Sequence, residues 1–290
     1  MKLNSRHKGI LLILLSAFFF ACGNACTRLA GDVPTIQKSF FRNAVAMLIA
    51  AAILLREGRG VRPASRANWP QLIARAVFGT IGLFCNFYAV DHLLLSDASM
   101  LNKMSPFFAV IASAFLLREM LAPMQIVSLT GAFVGALFIV KPTLSNMDLG
   151  ASLIGFAGGV AAGIAYTFVR LLGQRGERSS FIVFFFSAFS CAVSVPYMVL
   201  YGSSMTTEQT LCLVGTGCFA ALGQFCITGA YRCAPAREIS IFDYSQVIIA
   251  AILGRLLFGD VPDGYSFLGY IIICVMALLN FWYNNRRVSA

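Results

Sequence analysis

The sequence predicts an all-α polytopic membrane protein, with ten transmembrane helices in two inverted five-helix repeats and both termini cytoplasmic. Three observations predict it: an apolar composition, ten apolar runs of membrane-spanning length, and positive charge that alternates from one linker to the next. Of 290 residues, 59% are hydrophobic and 12% are charged, and the mean hydropathy is +0.79. A water-soluble domain carries about 25% charged residues. A surface this apolar needs lipid as its solvent, and the chain leaves no room for a large soluble domain.

The runs fall at about 9–30, 37–55, 70–90, 98–117, 122–140, 150–172, 181–201, 207–230, 238–258 and 264–284. Each holds about 19–24 residues, enough for a hydrocarbon core of roughly 30 Å. One set of flanks carries Lys2, Arg6, Lys8, Arg56, Arg59, Arg62, Arg66, Arg118, Arg170, Arg175, Arg178, Arg232, Arg237, Arg286 and Arg287. The opposite set carries Lys38 and Lys141, against the acids Asp32, Asp91, Asp97, Asp148, Glu208, Asp260 and Asp263. Cytoplasmic linkers are the basic ones, so both termini are assigned to the cytoplasm of a multi-pass cell-membrane protein, on a bacterial reading the inner membrane. Trp69 and Trp282 fall near the same side, where interfacial anchors belong. The net charge of +10 therefore sets orientation and forms no clustered face for nucleic acid. The nine cysteines (22, 26, 85, 191, 212, 218, 226, 233 and 274) are odd in number and sit mostly inside apolar runs. They read as small hydrophobes rather than a disulfide framework. The first run is long enough to stay in the membrane, so no cleavable signal is required.

The fourth and ninth runs align at an offset near 140: SDASMLNKMSPFFAVIASAFLLREML lies against AREISIFDYSQVIIAAILGRLLFGDV. Both have a small or polar start, a charged or polar group early in the helix, and an Ala/Ile-rich middle. This divides the chain into repeats at 1–141 and 142–290. Five spans per repeat is odd, so the halves insert with opposite orientation, the usual architecture of secondary transporters. Small-residue pairs at Gly131/Gly135 and Gly155/Gly159/Gly163 suit close helix packing.

The stretches FFACGNACTRLA, KSFFRNAVAMLI and NKMSPFFAVIASAFLLREMLAPMQIVSLTGAFVGALFIVKP resemble the EamA branch of the drug/metabolite transporter superfamily, close to its solute carrier 35 G-like subgroup. The resemblance spans nearly the whole chain. It matches Arg28 and Arg42 to basic positions of the first two spans, Pro106 to the fourth-span proline, and Glu119 to the acid ending that helix. Gln246 stands where the second half would repeat the proline, and Asp260 where a Glu is usual. The resemblance implies transport of small organic solutes through a cavity between the halves, and names no substrate.

An ionisable group inside a span is costly unless it faces protein or water, which makes each one a functional candidate. Lys103, beside Asn102 and followed by Pro106, is the foremost; Pro106 shapes the helix by leaving a carbonyl of the preceding turn unpaired. Asp243, followed by Tyr244 and Gln246, is its counterpart, with Glu238 nearer the cytoplasmic mouth. With Lys103 and Asp243 each about five residues from the midplane on opposite sides, the charges fall about 15 Å apart along the membrane normal. That spacing argues against a direct salt bridge. Asn24 with Arg28, and Tyr166 with Arg170, are four apart on single helix faces and lie near opposite ends. The arginines either draw a carboxylate towards a gate or close a gate by pairing with an acid. Arg42, Asn86 and Gln224 are further candidates for solute contact, and Tyr88, Tyr231 and Tyr244 for a cavity wall.

No ATP-binding, dinucleotide-binding or metal-ligand motif is present, so no cofactor is expected, and neither a primary pump nor an enzyme. The function expected is secondary active transport of small organic metabolites, with amino acids or related zwitterions and anions first. Nucleotide-like or vitamin-like metabolites are the alternative substrates, and a scaffold or channel the alternative function. Protons as coupling ion, the direction of transport, and monomer or homodimer stay open; membrane lipid and the solute are the expected partners.

Overall fold

The computed structural model describes residues 5–58, 60–93, 95–116, 123–140, 149–234, 236–260 and 264–288. Glu119, Lys141, Asp148 and Asp263 lie outside the described residues, as do Arg59 and Arg118. The described chain is helical throughout its ordered elements: α1 (Ser5–Leu29), α2 (Thr35–Arg56), α3 (Trp69–His92), α4 (Leu95–Asn102), α5 (Ser105–Leu116), α6 (Pro123–Val140), α7 (Leu149–Gln174), α8 (Ser179–Tyr201), α9 (Thr207–Cys233), α10 (Ala236–Ile239), α11 (Ser245–Phe258) and α12 (Gly264–Val288). Short 3-10 turns at Arg66–Asn68 and Ser240–Tyr244 complete it.

Seven stretches among the described residues are long and apolar enough to cross a membrane: Ser5–Leu29, Thr35–Arg56, Arg66–His92, Gly150–Gln174, Ser179–Tyr201, Thr207–Cys233 and Ile241–Phe258. Shorter apolar helical stretches run over Ile126–Gly135 and Phe267–Met276. Large apolar side chains face outwards, with Phe115 82%, Val199 78%, Leu55 74% and Leu256 74% exposed. A water-soluble protein does not present such a girdle; lipid covers it.

Local chemistry punctuates the helices. α2 starts directly after Pro34, and Pro70 occupies the first turn of α3, where its missing N–H is an orphan in any case. Thr206 and Gln209 close a reciprocal capping box at the start of α9. At the end of α11, Gly259 takes the left-handed conformation (φ 73°), and the Asp260 N–H returns to the Gly254 carbonyl. That turn satisfies a terminal acceptor and folds Asp260 back along its own helix.

The largest helix contacts pair α1 with α9, α3 with α7, α2 with α8 and α6 with α12. Exchanging α1–α6 for α7–α12 maps the first pair onto the second and the last two onto themselves. The packing of α5 on α7 likewise has its counterpart in α1 on α11. Hydroxyls tie these pairs together inside the apolar layer: Ser16 Oγ donates to the Gly223 carbonyl at 3.0 Å and Thr167 Oγ1 to the Ala109 carbonyl at 3.2 Å. All nine cysteines are free thiols.

Two expected spans are not single helices. The run at 98–117 is α4 and α5, joined through Lys103 and Met104, and the run at 238–258 is α10, a 3-10 turn and α11. Pro106 therefore stands in the first turn of α5, where it begins a helix instead of freeing a carbonyl within one. The glycine stripe of α7 packs on the first break: a Cβ at Gly159 would meet the Leu101 carbonyl, and one at Gly163 would meet the Ser105 carbonyl at 2.7 Å. Backbone approach this close is what excludes larger residues there. Gly131 and Gly135 serve α12 in the same way, against Met276 and Ile272.

Candidate functional site

The two breaks meet. Lys103 Nζ lies 2.9 Å from Asp243 Oδ2, with the side chains 2% and 0% exposed. This corrects the expected separation of about 15 Å along the normal. The cause is the broken geometry. α4 starts at Leu95, so Lys103 is deeper than a helix starting at 98 would place it. Asp243 follows an earlier helical start at Ala236 and sits in a 3-10 turn, which rises about 2.0 Å per residue instead of about 1.5 Å. Both charges thus reach the same depth and neutralise one another in a medium where neither could stand alone.

Immediately beside this pair is a cavity whose space between atoms, its mouth included, is about 660 Å³. Asn102 and Gln246, flanking Lys103 and Asp243 in sequence, turn towards it, and Asn24, Asn86 and Gln224 add further amide side chains. Arg42 and Arg75 line it too, as do the rings of Phe20, Phe87, Tyr166 and Phe186. No Asp or Glu is among its described lining residues.

The two arginines are buried, Arg42 7% and Arg75 3% exposed. Arg42 Nη1 donates to the side-chain oxygen of Asn43 at 3.2 Å, and its guanidinium stands 6.0 Å from the Phe87 ring centre. The Arg75 guanidinium lies 4.2 Å over the ring of Phe186, an attractive cation–π geometry, while its Nε has no hydrogen-bond partner among the described residues. Neither arginine makes a salt bridge to a described residue. Tyr166 shares the cavity wall with both arginines. Its ring stacks on Tyr231 with centres 5.3 Å apart.

Of the expected site residues, Asn24, Arg42, Asn86, Asn102, Tyr166, Gln224 and Gln246 come together on the cavity wall. Lys103, Asp243, Tyr231 and Tyr244 form a layer behind it, with both tyrosines fully buried. The remaining four stand apart. Arg28 pairs with Asp260 at 2.9 Å, at the far end of α1, over the ring of Phe258. Glu238 lies 3.8 Å from Arg6 at the opposite end. Arg170 Nη1 donates to the Tyr231 carbonyl at 3.0 Å, capping the last turn of α9, where a cation is favoured. Tyr88 stacks on His92, with ring centres 4.0 Å apart, and is no part of the cavity wall. The side chain of Pro106 is outside the described set.

Arg75 is the residue that sequence reasoning missed. Its signal was available, an arginine inside an apolar run, and the same rule that selected Arg42 selects it. Its place five residues into the run drawn at 70–90 is also ordinary for an interfacial anchor, and only the packing against Phe186 shows that it turns inwards.

The sequence profile of the EamA-like transporter family matches twice, over residues 7–141 and 149–282. The chain belongs to that family. It is 31% identical over 283 residues to the pseudopaline exporter CntI of Pseudomonas aeruginosa (strain UCBPP-PA14), covering 96% of this chain and 97% of the exporter. A riboflavin transporter of Brucella anthropi is 24% identical over 253 residues, covering 84% and 88% of the two chains. Human solute carrier family 35 member G1 is 25% identical over 298 residues, covering 96% and 81%. A solved crystal structure shares the fold, with a TM-score of 0.79 at 17% identity over 97% of this chain and 99% of the other. The protein is accordingly a multi-pass transporter of small metabolites in the cell membrane, in a family whose matched members are transporters and not enzymes.

Proposed function

We propose that the protein is a secondary active carrier that moves a small anionic or zwitterionic organic metabolite by alternating access. The observation that carries this reading is the central cavity, where two buried arginines and a ring of amides converge between helices contributed by both family repeats. Ten spans, with repeats at 1–141 and 142–290 inverted about the cavity and both termini cytoplasmic, complete the reading. Its support is the exchange symmetry of the helix contacts and the charge alternation of the linkers.

In this mechanism α1 moves against the α10–α11 segment. The ion pair Arg28–Asp260 closes one end of that boundary and Arg6–Glu238 the other. Opening one end breaks one pair while the other persists. The Lys103–Asp243 pair lies on the pivot between them. Protons are the candidate coupling ion. Aromatic faces in the cavity favour a second reading, a flat ring-bearing metabolite stacked between Phe20, Phe87 and Phe186.

The test is uptake and counterflow in proteoliposomes loaded with a mixed metabolite extract, read by mass spectrometry with and without an imposed pH gradient. Saturable, self-exchanging accumulation of one compound is the expected result, and acceleration by the gradient identifies protons as the coupling ion. Unsaturable flux would establish a channel instead. No flux from folded, correctly inserted protein refutes the carrier reading.

A further inference from the structure

Resting on the carrier reading, we infer that the transported solute bears at least two acidic groups, held between Arg42 and Arg75, and that a zwitterion with one carboxylate is a poor substrate.

The argument is a balance of charge. Arg42 and Arg75 bring two positive charges into one cavity with no acid among its described lining residues. Acids in the ion pairs among the described residues serve other cations: Asp243 holds Lys103, Asp260 holds Arg28, Asp91 holds Lys38, Glu238 holds Arg6 and Glu57 holds Arg178. Arginine keeps its proton in a protein interior, so neutralisation has to come from a ligand. The two guanidiniums also repel each other across the shared cavity, and a single carboxylate leaves half of that charge uncompensated. An acid with two carboxylate or phosphate groups removes all of it.

Geometry agrees. Stacking of the Arg75 guanidinium on Phe186 occupies one of its faces and leaves its N–H edge for in-plane, two-pronged contact with an oxyanion. The amides of Asn24, Asn86, Gln224 and Gln246 face the same space. Those groups recognise neutral hydroxyl, carbonyl or amide functions in the body of the solute. An ammonium group has no counter-charge among the described residues of the wall, and the Asp243 carboxylate behind it is engaged by Lys103.

The experiment is the charge class of what the protein moves. Wild-type proteoliposomes are offered the metabolite extract together with an equimolar panel of glutarate, adipate, butyrate, alanine and glutamate. Accumulated species are identified by mass, and their acidic groups counted. Arg42→Gln and Arg75→Gln are assayed in parallel, with thermal unfolding as a check on folding. The inference expects the dominant solute to carry two or more acidic groups. It also expects each variant to raise its KM by roughly tenfold or more, the cost of one charge-assisted contact, with the unfolding midpoint not lowered. Saturable transport of alanine, or of any solute with a single acidic group, overturns the inference while the carrier reading stands. Unchanged KM in both folded variants overturns it as well. Absence of any saturable flux refutes the carrier reading and the inference with it.

Discussion

Lys103 and Asp243 are as deeply buried as Arg42 and Arg75, yet the two charge groups solve burial in opposite ways. The first pair is matched in charge: each residue sits in a helix break, and 2.9 Å separates the opposite charges, while Asp243 Oδ1 makes no hydrogen bond among the described residues. The arginines share a cavity with no acid among the described residues of its wall. A buried pair costs desolvation but returns most of it by mutual attraction, whereas an uncompensated cation remains unfavourable until something binds. On the proposed reading, the paired charges belong to the scaffold and its switching, and the unpaired ones await a ligand.

The sharpest way to break this comparison is to unpair the first group. Asp243→Asn leaves Lys103 as a buried lone cation and should lower stability by about 3–5 kcal/mol. Thermal unfolding in detergent with lipid measures it. The double variant Lys103→Met/Asp243→Leu should recover most of that loss, because an apolar replacement of a buried pair is often neutral. Flux that stays absent in the stable double variant assigns the pair to transport as well as to architecture; full wild-type flux would reduce it to architecture alone.

A third arrangement of buried charge extends the contrast. Glu177, fully buried, accepts from the Ala64 N–H at 2.9 Å, from Asn68 Nδ2 at 2.9 Å and from the Arg178 N–H at 3.1 Å. It fastens the segment between α2 and α3 to the start of α8 by hydrogen bonds to neutral groups. Glu177→Ala should cost about 1.5–3 kcal/mol, the range for bonds to a charged acceptor, with substrate KM unmoved. A shifted KM would connect this staple to the cavity.

Arg42→Met and Arg75→Met should behave oppositely in stability. Deleting a cation with no acid partner removes a burial penalty, so unfolding should be unchanged or about 1 kcal/mol more costly, although transport falls. A loss of stability as large as that of Asp243→Asn would show that the arginines are paired within the fold after all, and the comparison would fail.

The sequence made the apolar helices and the charge at their ends legible because both are sums over many residues, and no single side chain decides them. The breaks were less legible. Pro106 marks the first, but the ninth run, EISIFDYSQ, has neither Pro nor Gly to mark the second; the Asp243 turn is stabilised by a partner 140 residues away in the chain. Treating both runs as straight helices displaced the two charges to different depths. Most of the polar groups on the cavity wall followed from asking which polar residues lie inside spans. Arg28, Arg170, Glu238 and Tyr88 met the same criterion and yet lie outside the wall. The partners of the three charged ones, Asp260, the Tyr231 carbonyl and Arg6, come from other parts of the chain.

The smallest effect on stability should come from the ends. Arg28 and Asp260 are 28% and 29% exposed, and a pair this wet contributes about 0–1 kcal/mol. Asp260→Asn should therefore leave the unfolding midpoint within about 1 kcal/mol of wild type. Its position makes flux the sensitive readout. Asp260 is carried by the left-handed turn at Gly259 and reaches across to α1, so the pair ties the two elements whose separation would open that end. Loss of the tie should shift the balance of open and closed forms and change exchange rates several-fold, because about 1 kcal/mol is about a factor of five in population. The charge-reversed double variant Arg28→Asp/Asp260→Arg should restore the wild-type rate. If neither the single nor the double variant alters exchange, the end pair is an anchor, and the boundary that opens lies between other helices.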